Sequence, residues 1–115
     1  MTRVKRGLVS KRRHNKLFEQ AKGYRGTKSK LTKVAREAVL HAGQYAFNGR
    51  KRKKIDMRRL WIARIGEAAK IEGTSYSRLI DGLKKAKIEL NRKILSDMIV
   101  NDPSTFKSIV EKVKA

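Results

Sequence analysis

Cysteine is absent from the chain, which removes disulfide frameworks and thiolate metal sites from consideration and fits a reducing compartment. Proline occurs once, at Pro103, and no stretch alternates apolar and polar residues as a half-buried strand does. With Ala, Leu, Lys, Arg and Glu dominant, both facts point to an all-helical chain. No apolar run approaches the roughly 18 residues of a membrane span. The opening MTRVKRGLVSKRRHNK is charged but has no apolar centre, so it does not read as a secretory signal. Its Lys/Arg bias continues beyond the first turns, which argues against a transit peptide. Acid is scarce as well: 10 Asp and Glu face 31 Lys and Arg, a formal charge of +21. Such an excess opposes compaction and attracts polyanions, nucleic acid foremost. An anionic membrane surface would require a matching apolar face.

The charge is unevenly spread. Residues 1–60 hold 20 Lys and Arg against 3 acids, net +17, and residues 61–115 hold 11 against 7, net +4. Residues 1–10 show no period and read as an extended basic arm; the dense basic arm carrying Arg3, Lys5, Arg6, Arg12, Arg13, Lys16 and Lys22 is expected to be disordered alone and to order on a polyanion. Lys11 to Ala21 suits a short helix, and KGYRGTKS then reads as a turn. Thr27 or Ser29 is placed to cap the next helix. Leu31, Val34, Ala35, Ala38, Val39, Ala42, Tyr45 and Ala46 form a narrow, Ala-rich stripe at helical spacing, suited to close approach more than to a core. Gly43 and Gly49 each weaken a helix by about 1 kcal/mol relative to Ala, and a bend or local break near Gly49 is one expectation. Unbroken, a helix from Thr27 to Glu72 is about 65–70 Å long at 1.5 Å per residue, more than the diameter of a small domain.

From Leu60 the apolar density rises. Trp61, Ile62, Ile65, Ala68 and Ala69 share a face; Leu79, Ile80 and Leu83 come after a cap at Ser75. Asn91 precedes Ile94, Leu95, Met98 and Ile99. Asp102 and Pro103 make an N-cap and first-turn pair before Phe106, Ile109, Val110 and Val113. The expected organisation is a basic arm and long helix over residues 1–57 and a globular helical domain over 58–115, with the long helix shared across the boundary. A domain of that size is marginal but feasible without staples.

Nothing in the pattern points to catalysis. His14 and His41 are far apart and lack a carboxylate at metal-ligand spacing. His14, among Lys and Arg, suits phosphate or base contact, or solvation, more than proton transfer. His41 reads as a surface or RNA-facing residue. The acids look like caps or ion-pair partners, Glu89 and Lys93 being one i,i+4 pair. GTKS at Gly26–Ser29 lacks the order of a phosphate-binding loop. No cofactor is implied. Trp61 could stack on a base, but Ile62 and Ile65 beside it favour a core anchor.

The run Arg50–Lys54 is the most informative segment. Successive helix residues turn by about 100°, so five cations in sequence point all round the axis. Arg50 and Lys54 are also a like-charge i,i+4 pair, which opposes helix formation. A helix surrounded by phosphates explains the layout; a flexible linker or nuclear-localisation run is the plainer alternative. Tyr24, Tyr45 and Phe47 interleave with the charge, as in proteins that stack aromatics on unpaired bases. Phe47 serves helix packing equally well.

The segments RVKRG, AKGYRG, AGQYAFNGRKRKK, RRLWIARI, YSRLIDGLKKAKIELNRKILSD and the closing F..IVEK, in this order from Arg3 onward, resemble the bacterial large-subunit ribosomal protein L-twenty family. Met57 stands where that pattern has an aromatic and Asn15 where it has a basic residue; each removes at most one RNA contact. The resemblance implies a structural, non-enzymatic constituent of the large ribosomal subunit. It implies a long RNA-threading helical extension and a small globular helical domain that grips a junction of RNA helices. It implies direct binding of large-subunit ribosomal RNA early in assembly, with the twenty-first and thirteenth large-subunit proteins as neighbours. Some members bind their own messenger RNA and repress its translation. The expected location is the ribosome in the cytoplasm, or in the plastid stroma for a plastid-encoded member.

The residues expected to contact RNA are Arg3, Lys5, Arg6, Lys11, Arg12, Arg13, His14, Lys16, Lys22, Tyr24, Arg25, Lys28, Arg50, Lys51, Arg52, Lys53, Arg58 and Arg59. An architectural DNA-binding protein shares the charge and is the competing class.

Overall fold

The computed structural model describes residues 2–114, which form five α-helices and one 3₁₀ turn and contain no strand. Helix α1 spans Gly7–Gln20, the 3₁₀ turn Gly26–Ser29, α2 Thr32–Ile71, α3 Tyr76–Lys85, α4 Arg92–Asn101 and α5 Pro103–Lys114. The chain divides into two compact units between Lys51 and Arg52, inside α2. None of the described helices is long and apolar enough to cross a membrane.

In the first unit, α1 begins at Gly7, four residues before the helix expected from the sequence, so the arm is not extended through residue 10. The straight side chains of Lys and Arg are good helix formers, and no breaker stands between Gly7 and Gly23. The unit buries little. Ala21 and Ala35 are enclosed, Leu17, Phe18, Val34, Ala38 and Val39 are half-buried, and everything from His41 to Lys51 is exposed. Neither Thr27 nor Ser29 caps α2 with its side chain. The Thr27 carbonyl accepts from the N–H groups of Lys30 and Leu31 at 3.0 and 2.9 Å, and the Ser29 hydroxyl turns back to the Gly26 carbonyl. The backbone has closed a 3₁₀ turn where a side-chain cap was expected.

Helix α2 runs 40 residues through Gly43 and Gly49 without interruption. The expected local break near Gly49 does not occur; one side-chain pair at i,i+4 spacing lies just before that glycine and another spans it. Gln44 Nε2 donates to Asn48 Oδ1 at 3.2 Å, and Lys51 Nζ lies 5.4 Å from the Phe47 ring centroid. Such pairs are each worth about 0.2–1 kcal/mol on an exposed helix.

The second unit holds the core: Ile65 and Ala69 from α2, Leu79 and Leu83 from α3, Leu95 from α4, and Phe106 and Val110 from α5. Burying each large side chain here contributes about 1.5–3 kcal/mol. Ile80, Met98, Ile99, Ile109 and Val113 pack around it, half-buried. Three residues expected in this core lie outside it: Trp61 and Ile62 are half-buried and Ile94 is 42% exposed. They stand about one turn N-terminal to Ile65 on α2 and in the first turn of α4, and Trp61 and Ile94 border one cleft. Tyr76 links the starts of α3 and α4 by accepting from Arg92 Nε at 2.8 Å.

Helix ends are closed by local devices. At the end of α2, Gly73 at φ 75° lets its N–H reach the Lys70 carbonyl and the Thr74 N–H reach the Ala69 carbonyl, a Schellman motif. Lys114 Nζ donates to the Glu72 carbonyl. The end of α3 repeats the motif with Lys87 at φ 54°, a conformation that favours glycine. Ser75 accepts from the Arg78 N–H at 3.4 Å and Asn91 from the Ile94 N–H at 2.8 Å. Asp102 alone joins α4 to α5. Its N–H donates to the Met98 carbonyl, and its carboxylate accepts from the Thr105 N–H and from the Ser104 and Thr105 hydroxyls. Glu89 lies in the loop before α4 and not on a helix with Lys93. The ion pairs among the described residues are Asp56–Arg59, Glu67–Lys70 and Asp81–Lys85.

The helix contacts and the caps each generate a prediction. A Cβ added at Gly82 collides with Val113 Cγ1, whereas one at Gly49 meets nothing within 4 Å. Gly82→Ala is therefore expected to lower unfolding free energy by about 1–3 kcal/mol despite its better helix propensity. Gly49→Ala is expected to strengthen α2 locally by up to about 1 kcal/mol. Circular dichroism under denaturant measures both, and the opposite order would refute the packing described. At the caps, the Asp102 carboxyl is held below the usual carboxylate range by the Thr105 hydroxyl first, then the Ser104 hydroxyl and the Thr105 N–H. A depressed folded-state pKa adds stability above the unfolded-state value, lost as pH falls through the folded-state value. Asp102→Asn keeps a capping oxygen but removes this titration. Its thermal melts between about pH 2 and 5 should depend less on pH than those of the wild type.

Candidate nucleic-acid interface

The expected contact residues occupy a consistent set of positions. Arg3 and Lys5 precede α1 and Arg6 is its N-cap residue; Lys11, Arg12, Arg13, His14 and Lys16 lie on α1. Lys22, Tyr24 and Arg25 form the turn after α1, and Lys28 sits in the 3₁₀ segment. Arg50, Lys51, Arg52, Lys53, Arg58 and Arg59 lie on α2. All are exposed except Tyr24, which is half-buried.

The electrostatics are one-sided. Every ion pair among the described residues lies in the second unit, and only one involves an expected contact residue, Arg59 at 3.9 Å from Asp56. The cations of the first unit therefore stand without acidic partners. On α2, five successive cations from Arg50 to Lys54 are all exposed, and helical geometry points them around the whole circumference. An exposed helix with one solvated face gains nothing from this arrangement. A helix with phosphates on all sides gains at every position.

The turn after α1 builds a concave site. Gly23 and Gly26 both adopt positive φ, at 81° and 63°, and the Tyr24 N–H donates to the Ala21 carbonyl at 3.2 Å. This reversal lays Tyr24, Arg25 and Lys28 along a cleft of about 760 Å³ whose other wall is α2, with Glu37, His41 and Tyr45. The His41 and Tyr45 rings lie 6.0 Å apart, tilted by 31°. The sequence marks Tyr24, Arg25 and Lys28 singly. Their meeting with His41 and Tyr45 is tertiary, although the i,i+4 spacing of the last two places them on one face. A second concavity gathers Arg13, His14 and Lys16 of α1 with Arg36 of α2. His14 thus sits among cations. Among the described residues no three His, Cys, Asp or Glu side chains are grouped to hold a metal ion. Aromatic walls with cationic rims suit stacking and phosphate contact.

The fold and surface define a class: a protein helical throughout its described residues, with a polycationic first unit. The chain belongs to the ribosomal protein L20 family, whose family model matches residues 3–109. It is similar to the large ribosomal subunit protein bL20 of Chloroflexus aurantiacus, 56% identical over 115 residues, covering 100% of this chain and 97% of that one. The large ribosomal subunit protein bL20 of Roseiflexus castenholzii is also 56% identical, over 114 residues, covering 99% of this chain and 97% of its own.

Proposed function

We propose that this chain binds large-subunit ribosomal RNA directly and supports early assembly of the subunit in the cytoplasmic ribosome. The observation that carries the reading is the all-round cationic stretch of α2, exposed and continuous through Arg50–Lys54. RNA folding crowds phosphates that mobile ions screen only in part. A polycationic helix inserted between RNA helices neutralises them where crowding is greatest and releases condensed counterions. The expected contact residues, from Arg3 to Arg59, supply phosphate and stacking contacts in this reading. Specificity comes from junction shape and unpaired bases, because the major groove of A-form RNA is too narrow for side chains to read. The second unit, with its fixed core, is the part that recognises the junction. On the family resemblance, this unit is also the one that engages messenger RNA in members that repress their own translation. The twenty-first and thirteenth large-subunit proteins are the proposed neighbours.

Competition between deproteinised large-subunit ribosomal RNA and duplex DNA at fixed salt tests the reading. Ribosomal RNA should displace the duplex, and equal affinity would favour an architectural DNA-binding protein. The role of α2 has a quantitative signature. Replacing Arg52 and Lys53 by Gln should flatten the dependence of log affinity on log salt by about 1–2 units. An unchanged slope in filter-binding titrations would remove α2 from the interface.

A further inference from the structure

Trp61 is the chain's single tryptophan, and it borders two clefts of the second unit. One, of about 470 Å³, is lined by Trp61 and Arg64 of α2 and, from the α4 side, by Asn91, Lys93, Ile94, Ser96 and Asp97. Ser96 is 1% exposed, and its Oγ has no hydrogen-bond partner. A hydroxyl left in this way costs about 1–3 kcal/mol. The other is a groove where Trp61 meets Lys53, Lys54 and Arg58. Cations thus line both clefts that Trp61 borders, and Ile94 is 42% exposed in the first.

The geometry points to a binding site for one unpaired nucleobase of the bound RNA, stacked on Trp61 with its polar edge toward Ser96. The inference rests on the ribosomal RNA reading of this chain. Three features select a base over a phosphate. The walls formed by Trp61 and Ile94 are apolar and suit a flat, weakly hydrated ring. Asp97 places a carboxylate where a phosphate would be repelled. Its Oδ1 already accepts from Asn101 Nδ2 at 2.8 Å, and its second oxygen has no hydrogen-bond partner among the described residues, so it is available to an exocyclic amine. The orphan Ser96 hydroxyl supplies a donor and acceptor that no protein group uses. Arg58 and Lys93 then meet the phosphates on either side of the inserted nucleotide.

The single tryptophan makes the site directly observable. Full-length protein is titrated with deproteinised large-subunit ribosomal RNA, following RNA retention on filters and indole emission together. Emission should fall in step with retention and saturate at the same ratio, while a fully paired RNA duplex should be retained without comparable quenching. Trp61→Leu should weaken binding about 5- to 100-fold, the range for loss of one stacked base, and Trp61→Phe should recover most of it. Ser96→Ala separates recognition from packing. It should hold or raise the melting temperature, because an unpaired hydroxyl is removed, yet lower RNA affinity several-fold. Retention with unchanged emission, or equal quenching by the duplex, overturns the inference and leaves the RNA-binding reading standing. Absence of retention by the wild type overturns the reading itself. Because emission is measured on the wild-type chain, the decision survives a variant that fails to fold.

Discussion

Repulsion among like charges governs where this chain can build a core. Residues 1–60 carry a net +17, and their apolar burial is confined to two alanines and a few half-buried neighbours. Cations forced together in a low-dielectric interior would cost far more than such burial returns. The core therefore forms where charge is close to balanced, around Ile65, Leu79, Leu95, Phe106 and Val110. Helix α2 belongs to both regimes. Its Arg50–Lys54 segment is cationic all round, and eleven residues after Lys54 it delivers Ile65 to an enclosed apolar site. One helix thus carries an unbroken run of exposed cations and anchors the folded unit.

A core this small leans on the ends of its helices. Ser75, Asn91 and Asp102 each satisfy a free backbone N–H with a side-chain oxygen, closing the helix starts locally. Asp102 serves twice, ending α4 with its N–H and starting α5 with its carboxylate, so α4 and α5 are joined through one residue. Gly82 permits α3 and α5 to approach more closely than any larger residue allows. Lys87 holds a left-handed conformation at a cost of about 1–2 kcal/mol, retained because the backbone bonds of the Schellman turn depend on it.

Legibility in the sequence tracks the range of the interactions involved. The caps at Ser75, Asn91 and Asp102 were readable because the acceptor and donor lie within three residues. The apolar faces of α3 and α5 were readable because helical periodicity is local too. Trp61, Ile62 and Ile94 were misplaced because periodicity assigns a face but not the neighbour that covers it. Thr27 and Ser29 suited a cap, but the backbone closed a 3₁₀ turn there. Glu89 and Lys93 had the spacing of a pair, but no helix holds them in it. In the candidate interface, Tyr24, Arg25 and Lys28 could be marked one by one. Their common cleft with His41 and Tyr45 depends on a chain reversal at Gly23 and Gly26 that brings together residues about twenty positions apart.

The all-round charge of α2 gives ionic strength two opposite effects on one protein. In the free chain, salt screens Arg50 from Lys54 and favours the helix. In the proposed complex, salt competes for the same phosphates and favours release. On the proposed reading the segment is a helix whose proper solvent is a polyanion, with RNA serving at once as its ligand and as the screen that lets its backbone settle.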